Sequence, residues 1–253
     1  MVDSISKTVR LFDDLFEIVP AETIELQREA YRLRYKFLSI ERREPGYEAL
    51  RFPDGLETDA YDEHSVQCLV RYKPTSVWAG SARLVLPKPD ASEALLPAEA
   101  ASGNILRADQ FRSLDRRHLA EVSRLILEEP FRRRPGKAGS SRIHSVYDPM
   151  PQTVIPERNL AHLPLIGLLA AVLHLTVSND ISDWLAAIEP RLARLLSRLG
   201  LELDPIGPTF SYHGLRRMHC GNVYHVMTAL RTRNPSVWEI LTDGGRRYSL
   251  PND

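Results

Sequence analysis

Four stretches of this chain set charge inside apolar patterns, where an ionisable side chain needs either a partner or a task. Arg34 stands in YRLRYKFL, with Tyr31 three residues before it and Leu38 four after, at the edge of an apolar helical stripe. ETDAYDEH places Asp59 and Asp62 three residues apart, just ahead of a strand-like run. Arg83 lies within GSARLVL, and Glu121 and Arg124 interrupt EVSRLIL, which otherwise reads as a core strand. These arginines and carboxylates, gathered at one cleft, could simply neutralise one another and brace a helix against a sheet. They could equally handle protons, because a carboxylate on a core strand is partly desolvated and binds its proton more tightly. Glu121 is the candidate base, directly or through a water, and Arg124 opposes the shift by favouring the ionised form. Asp59 and Asp62 fit an ammonium site, a clamp on Arg34 and Arg124, or turn capping. Side chains of a regular strand alternate, so Glu121 and Arg124 can share one site only if that strand bulges.

The elements that must position these groups follow from periodicity. Phe16 to Val19 reads as a short strand, and Pro20 with Thr23 opens a helix through about Arg43. Leu26, Ala30, Leu33, Phe37 and Ile40 form its buried stripe, and Pro45 with Gly46 ends it. Val66 to Tyr72 and Val77 to Leu86 read as strands joined by a turn at Lys73 to Ser76, and Leu119 to Leu127 as another. An apolar helix is expected from about Arg158 to Ser178. A strand follows at Trp184 to Ile188, then a helix from Pro190 capped by Gly200. Leu201 to Leu203 and Asn222 to Leu230 are read as the last strands. The order predicts a mixed sheet with helices on both faces.

At 253 residues, with 43% hydrophobic and 26% charged residues, the chain is long and apolar enough for a sizeable core, which excludes a disordered scaffold. Lys plus Arg equals Asp plus Glu, so no net field draws the molecule to nucleic acid or an acidic membrane. Cys68 and Cys220 are too few for a disulfide framework, and acids in MVDSISKTVRLFDDLFE break any signal-like apolar run, so a cytoplasmic location is expected. Leu163 to Val177 is too short for a transmembrane span. His213, His219, Cys220 and His225 lack metal-ligand spacing, and no metal is expected.

YRLRYKFL, ETDAYDEH, GSARLVL and AEVSRLIL, in this order, resemble the acyl-homoserine-lactone synthases and the related N-acyl amino acid synthases, over roughly residues 15 to 210. The resemblance implies a GNAT-like acyltransferase fold, α/β (α+β), with a mixed central sheet flanked by helices. It implies one domain over 1–253, with a basic insertion at about 130–157 and a C-terminal extension after about 231. Arg34 matches the family's helix arginine, Asp59 and Asp62 its Asp-x-x-Asp pair, Arg83 its strand arginine, and Glu121 with Arg124 its Glu-x-x-Arg strand. Lactone synthases carry phenylalanine and tryptophan where this chain has Leu38 and Glu44, which speaks against S-adenosylmethionine binding. The long N-terminal half and the enlarged segment after EVSRLIL look more like acyltransferases of the PEP-CTERM/exosortase system.

The implied activity is transfer of a fatty acyl group from an acyl carrier protein thioester to the amine of an amino acid or similar small amine, with no tightly bound cofactor. A lactone synthase using S-adenosylmethionine, and a non-catalytic acyl-carrier or lipid-binding module, are the alternatives. Amide formation needs a neutral amine, an acceptor for its proton and donors for the oxyanion. Glu121, Arg124 and Arg34 are therefore expected to be catalytic, and Asp59, Asp62, Arg83 and Ser123 to bind substrate. No motif marks Ser123 as a covalent nucleophile. RRPGKA, Arg133 to Ala138, has the letters of a pyrophosphate loop, but nearby prolines and glycines and the distance to the next helix argue for chance. Arg132, Arg133, Arg134, Lys137 and Arg142 read either as a landing patch for the acidic carrier or as a solvated basic loop. The apolar helix from Leu160 to Val177 could line an acyl tunnel or serve only as core.

Overall fold

The computed structural model describes residues 7–88, 94–103, 114–132 and 162–250. In chain order these form α1 (Lys7–Leu15), β1 (Phe16–Pro20), α2 (Ile24–Tyr35), β2 (Ser65–Tyr72), β3 (Val77–Val85) and α3 (Pro97–Ser102). There follow β4 (Leu119–Leu127), α4 (Leu163–Ser178), β5 (Asp183–Ile188), α5 (Pro190–Leu199), β6 (Asp204–Ser211), β7 (Leu215–Asn222), α6 (Val223–Arg233) and α7 (Pro235–Thr242). The strands make one sheet in the order β1-β2-β3-β4-β5-β7-β6. Neighbours are antiparallel except β4 and β5, which run parallel and pair only from Leu119/Asp183 to Glu121/Leu185. Past Glu121 the two strands share no further ladder pairs, so the sheet splits in its middle.

Apolar helices fill one face. Phe12 of α1, Leu168 and Leu173 of α4, Met227 of α6 and Leu241 of α7 join the main core cluster with Val70 and Leu84 of the sheet. On the other face Ala30 and Leu33 of α2 pack with Leu69. The helix of α2 starts where Thr23 Oγ1 accepts the Leu26 N–H. It continues as a π-helical stretch, Lys36–Glu41. The wider turn slips the apolar stripe, so Ser39 is buried and Ile40 half exposed, contrary to the straight-helix pattern.

Two strand assignments are corrected. Asn222–Leu230 is a helix: Asn222 caps it by accepting the His225 N–H, and Val223, Val226, Met227 and Leu230 recur at helical spacing on its buried side. The strand after α5 begins at Asp204, beyond Leu201–Leu203, and carries Pro205 and Pro208. Prolines are tolerated there because β6 is an edge strand, irregular between Pro205 and Thr209. The apolar helix begins at Leu163 among the described residues. The turn at Lys73–Thr75 closes through Ser76 in the left-handed region at φ 55°, and Gly200 caps α5 at φ 93°, both as expected.

One contact beside the split sets a firm steric limit. A Cβ on Gly80 would lie 2.2 Å from the Ile126 carbonyl oxygen of β4, so only glycine allows β3 and β4 to close at this point. Gly80→Ala is expected to lower unfolding stability by about 1–3 kcal/mol in urea denaturation, the usual penalty for overpacking. A loss well under that range would mean β4 can move away from β3.

Candidate active site

The bulge that the sequence required is present. Between Ser81/Ile126 and Arg83/Ser123 the β3–β4 register gains a residue, setting Arg124 and Leu125 against Ala82, and Arg124 adopts φ 50°. A left-handed arginine is uncommon and strained, and here it brings Arg124 onto the same cavity as Glu121.

Three guanidiniums and three carboxylates close a network. Arg34 pairs through Nε with Glu57 and donates from Nη1 and Nη2 to Asp62 at 2.7 and 3.0 Å. Its Nη1 also lies 3.4 Å from Gln67 Oε1. Arg83 donates from Nη1 to Asp59 at 2.8 Å and Asp62 at 2.9 Å, and from Nε to Ser123 Oγ at 3.0 Å. Arg124 donates to Glu57 at 2.8 and 3.2 Å and to Asp59 at 2.9 Å, with its guanidinium 5.2 Å from the Tyr47 ring centre. The loop is fixed by Asp59 N–H donating to Asp62 at 2.8 Å and Tyr61 N–H donating to Asp59 at 2.9 Å. Burial alone would raise the carboxyls of Glu57 and Asp62, but Arg34 with Arg124, and Arg34 with Arg83, hold them down at about 2.

Glu121 stands outside this balance. It is buried, and its Oε2 accepts the Ala98 N–H of α3 at 2.7 Å. Among the described residues no guanidinium is paired with it, while the three nearby arginines are paired with Glu57, Asp59 and Asp62. Burial pushes its carboxyl up to about 7, against the downward pull of the Ala98 N–H and of Arg83 and Arg124. A carboxylate near half-protonation at neutral pH can take and return a proton.

The split beside Glu121 opens a cavity of about 310 Å³. Glu121, Ser123 and Arg124 line it together with Tyr47 and Tyr212, while Leu125, Trp184 and Ile188 make its interior apolar. Burial and the Glu121 charge push the Tyr212 phenol up to about 12, and burial likewise raises Tyr47, so both keep their protons at neutral pH. At the mouth, Arg216 and Arg42 donate to one Glu189 oxygen at 2.8 and 3.1 Å, and Arg42 also donates to Glu44 at 2.9 Å. The His213 ring lies 4.5 Å from Tyr47 and 4.6 Å from Tyr212, and its Nδ1 is hydrogen-bonded to the Pro45 carbonyl.

The sequence-selected residues thus divide. Glu121, Arg124 and Ser123 face the cavity, whereas Arg34, Arg83, Asp59 and Asp62 do not line it. Arg34 and Arg83 are fully buried, and Arg34, expected at the reacting centre, pairs with Glu57 and Asp62 away from the cavity wall. The Asp59 oxygens accept from Arg83, Arg124 and the Tyr61 N–H, so this carboxylate clamps the two arginines. Arg132 pairs with Glu41 and stacks 4.9 Å from the Phe37 ring. Arg133, Arg134, Lys137 and Arg142, and with them RRPGKA, lie outside the described residues. Leu169 and Val172 of α4 do line the cavity. Among the described residues no group of three or more His, Cys, Asp or Glu is placed to hold a metal, and no helix is long and apolar enough to cross a membrane.

Sequence reasoning missed Glu57, the hub joining Arg34 to Arg124, though it opens the very segment ETDAYDEH that was singled out. Tyr47, Tyr212 and the Arg42–Glu189–Arg216 cluster were missed as well. Each comes from a different part of the chain and carries no local anomaly.

Residues 33–140 match the family model described as an acetyltransferase (GNAT) domain, a span containing every member of the charged network. No curated protein matches the chain. Among solved structures, TofI in a ternary complex with an inhibitor and MTA is 16% identical at TM-score 0.56, covering 88% of this chain and 99% of that one. BjaI, a CoA-dependent acyl-homoserine lactone synthase solved with MTA, is 20% identical at TM-score 0.52, covering 93% and 90%. FeeM, an N-acyl amino acid synthase from uncultured soil microbes, is 14% identical at TM-score 0.51, covering 86% and 97%. At these identities the likeness is one of fold. The chain has a GNAT-like fold, and its matched domain makes it an acyltransferase.

Proposed function

We propose that the protein transfers a fatty acyl group from an acyl carrier protein thioester to the amine of an amino acid or a similar small amine. The observation that supports this reading is one cavity at the split in the sheet with the buried Glu121 carboxylate on its wall and an otherwise largely apolar interior. A fatty chain fits that interior, which sets its thioester carbonyl beside Glu121 and Arg124. The amine attacks that carbonyl, its proton passes to Glu121 directly or through a water, the carbon–sulfur bond breaks, and the same proton returns to the departing sulfur to release the carrier thiol. Backbone N–H groups of β4 beyond its last pair with β5, together with the protonated phenols of Tyr47 and Tyr212, are the donors available to the oxyanion. Ser123 accepts a hydrogen bond from Arg83, and among the described residues no base is hydrogen-bonded to it, which supports direct attack without an acyl-enzyme.

The reading requires no tightly bound cofactor and a carrier that meets the basic residues Arg132, Arg133, Arg134, Lys137 and Arg142. Lactone synthesis from S-adenosylmethionine is the second reading, because BjaI, a lactone synthase also solved with SAM, shares the fold. Leu38 and Glu44 stand against it at the cavity wall, where the resembled family has aromatic rings. The PEP-CTERM/exosortase association and a cytoplasmic location rest on the sequence alone.

Incubation with long-chain acyl carrier protein and a mixed pool of amino acids and amines tests the proposal. Free carrier thiol together with an acylated amine, found by mass spectrometry, is the expected result. Methylthioadenosine released only when S-adenosylmethionine is added would favour lactone synthesis. Neither thiol nor amide across a broad panel would leave a binding module.

A further inference from the structure

Helix α3 supplies the Glu121 carboxylate with its one hydrogen-bond donor among the described residues, the Ala98 N–H. That donor is on offer because of how the helix begins. First-turn N–H groups have no partner within a helix, and Pro97 has none to give, so the Ala98 N–H is the first available. A second set of paired charges, separate from the network, fixes this turn. Glu99 Oε2 accepts the Leu96 N–H at 3.0 Å. Arg116 grips the same carboxylate with both arms of its fork, Nη1 to Oε1 at 3.0 Å and Nη2 to Oε2 at 2.9 Å, and Nη2 also donates to the Ala94 carbonyl at 2.9 Å. Arg116 stands in the turn Arg116–His118 just before β4, so α3 is tied to the strand that carries Glu121. We propose that the Arg116–Glu99 pair is a positioning clasp, which registers α3 on β4 so that the Ala98 N–H stays on one oxygen of Glu121. Its part in the reaction rests on the reading of Glu121 as proton acceptor.

A two-armed arginine–carboxylate pair fixes orientation as well as distance. This one is largely shielded from water, unlike the neighbouring Arg117–Asp115 pair of the same turn, which is exposed. Leu96 and Ala98 are buried in the apolar cluster that includes Val85, Leu119 and Leu185. The other ionisable groups acting on Glu121 are Arg83 on β3, Arg124 on β4, Asp59 and Tyr61 in the loop before β2, and Tyr212 after β6. None belongs to α3 or its clasp, so a loosened α3 acts on Glu121 through the lost hydrogen bond. The N–H favours the ionised carboxylate, and its loss makes Glu121 hold its proton more tightly.

The test sets two variants of opposite charge change side by side. Glu99→Ala removes a negative charge and Arg116→Ala a positive one, so a through-space charge effect would lower the Glu121 titration in the first and raise it in the second. Loss of the clasp raises it in both, by about one pH unit. NMR of the full-length, isotope-labelled protein reads this without turnover. In wild type the Ala98 amide proton is expected to shift as Glu121 ionises near pH 7, and Glu121→Gln abolishes that shift, which assigns it. In both alanine variants the amide no longer follows Glu121, and the Glu121 carboxyl carbon titrates about one unit higher. Arg117→Ala leaves both signals in place. Circular dichroism and thermal melting verify that each variant is folded. Should either alanine variant fail to fold, Glu99→Gln and Arg116→Gln carry the same comparison. An Ala98 amide that still follows Glu121, or titration shifts of opposite sign, overturns the proposal. Acyl-transfer pH profiles measured alongside keep the two claims apart. The acid limb of kcat/KM is expected to move up with the Glu121 titration in both variants. Loss of the amide coupling in the variants, with no transfer by the wild type, would sink the transfer reading and leave the clasp standing. Transfer whose acid limb stays in place would sink the positioning role and leave acyl transfer standing.

Discussion

Glu121→Gln is expected to cut acyl transfer by about a hundredfold or more, the usual weight of a positioned proton acceptor, and at the same time to make the protein more stable above neutral pH. The second effect follows from the first observation about this residue. Its folded pKa of about 7 lies above the ordinary value of 4.5, so the folded state holds a proton that the unfolded chain has released across that window. Stability contributed at this position therefore falls as pH rises from about 4.5 to about 7, and the cost is fully present above 7. An amide escapes that cost while its oxygen can still accept the Ala98 N–H. Denaturant titrations should show wild type and variant alike near pH 4 and the variant ahead by about 2–3 kcal/mol at pH 8. A variant less stable at pH 8 would mean that Glu121 is an ionic brace after all.

Glu57→Gln is expected to do the opposite to stability. It leaves Arg34 and Arg124 short of a buried counter-charge, and breaking one partner of such a set typically costs about 3–5 kcal/mol. Equilibrium unfolding at neutral pH measures it. The wild-type protein should also lose stability in acid. Glu57 and Asp62 titrate near 2 in the folded state against 4.5 and 3.8 ordinarily, so their contribution is whole above about pH 5 and fades as pH falls toward 2. The Glu57 variant should lack about half of that acid dependence. A loss below about 1 kcal/mol at neutral pH would show the network to be solvated rather than buried.

The two substitutions also separate the two interpretations that the sequence left open. One set of charges is mutually paired, and a fourth carboxylate, Glu121, has no guanidinium partner among the described residues. That division was not legible in the sequence because it depends on counting which guanidinium reaches which oxygen. What could be read was the conditional statement that Glu121 and Arg124 share a site only across a bulge, since strand alternation is a local rule. Arg83 and Arg34 were visible as charges in apolar runs. Glu57 was not, because it sits in a polar loop where burial leaves no local trace, and only folding carries it inside.

The misread C-terminal elements have the same origin. Val223 to Leu230 is apolar enough for either period, and Asn222 as a cap tips it to helix only once β7 ends there. The prolines of β6 hide a strand because edge position, a property of the assembled sheet, is what permits them. The stripe in α2 slips by a residue at the π-helical stretch, which no straight-helix count anticipates.

The parallel contact between β4 and β5 spans three residue pairs and ends at Glu121. Mechanically, this makes two antiparallel half-sheets joined at a short fulcrum, with the Glu121 carboxylate on the pivot itself. Parting the half-sheets to admit a wider guest swings their far ends most and the fulcrum least. On the acyl-transfer proposal, guests of different girth would then leave the Glu121 carboxylate nearly where it stands.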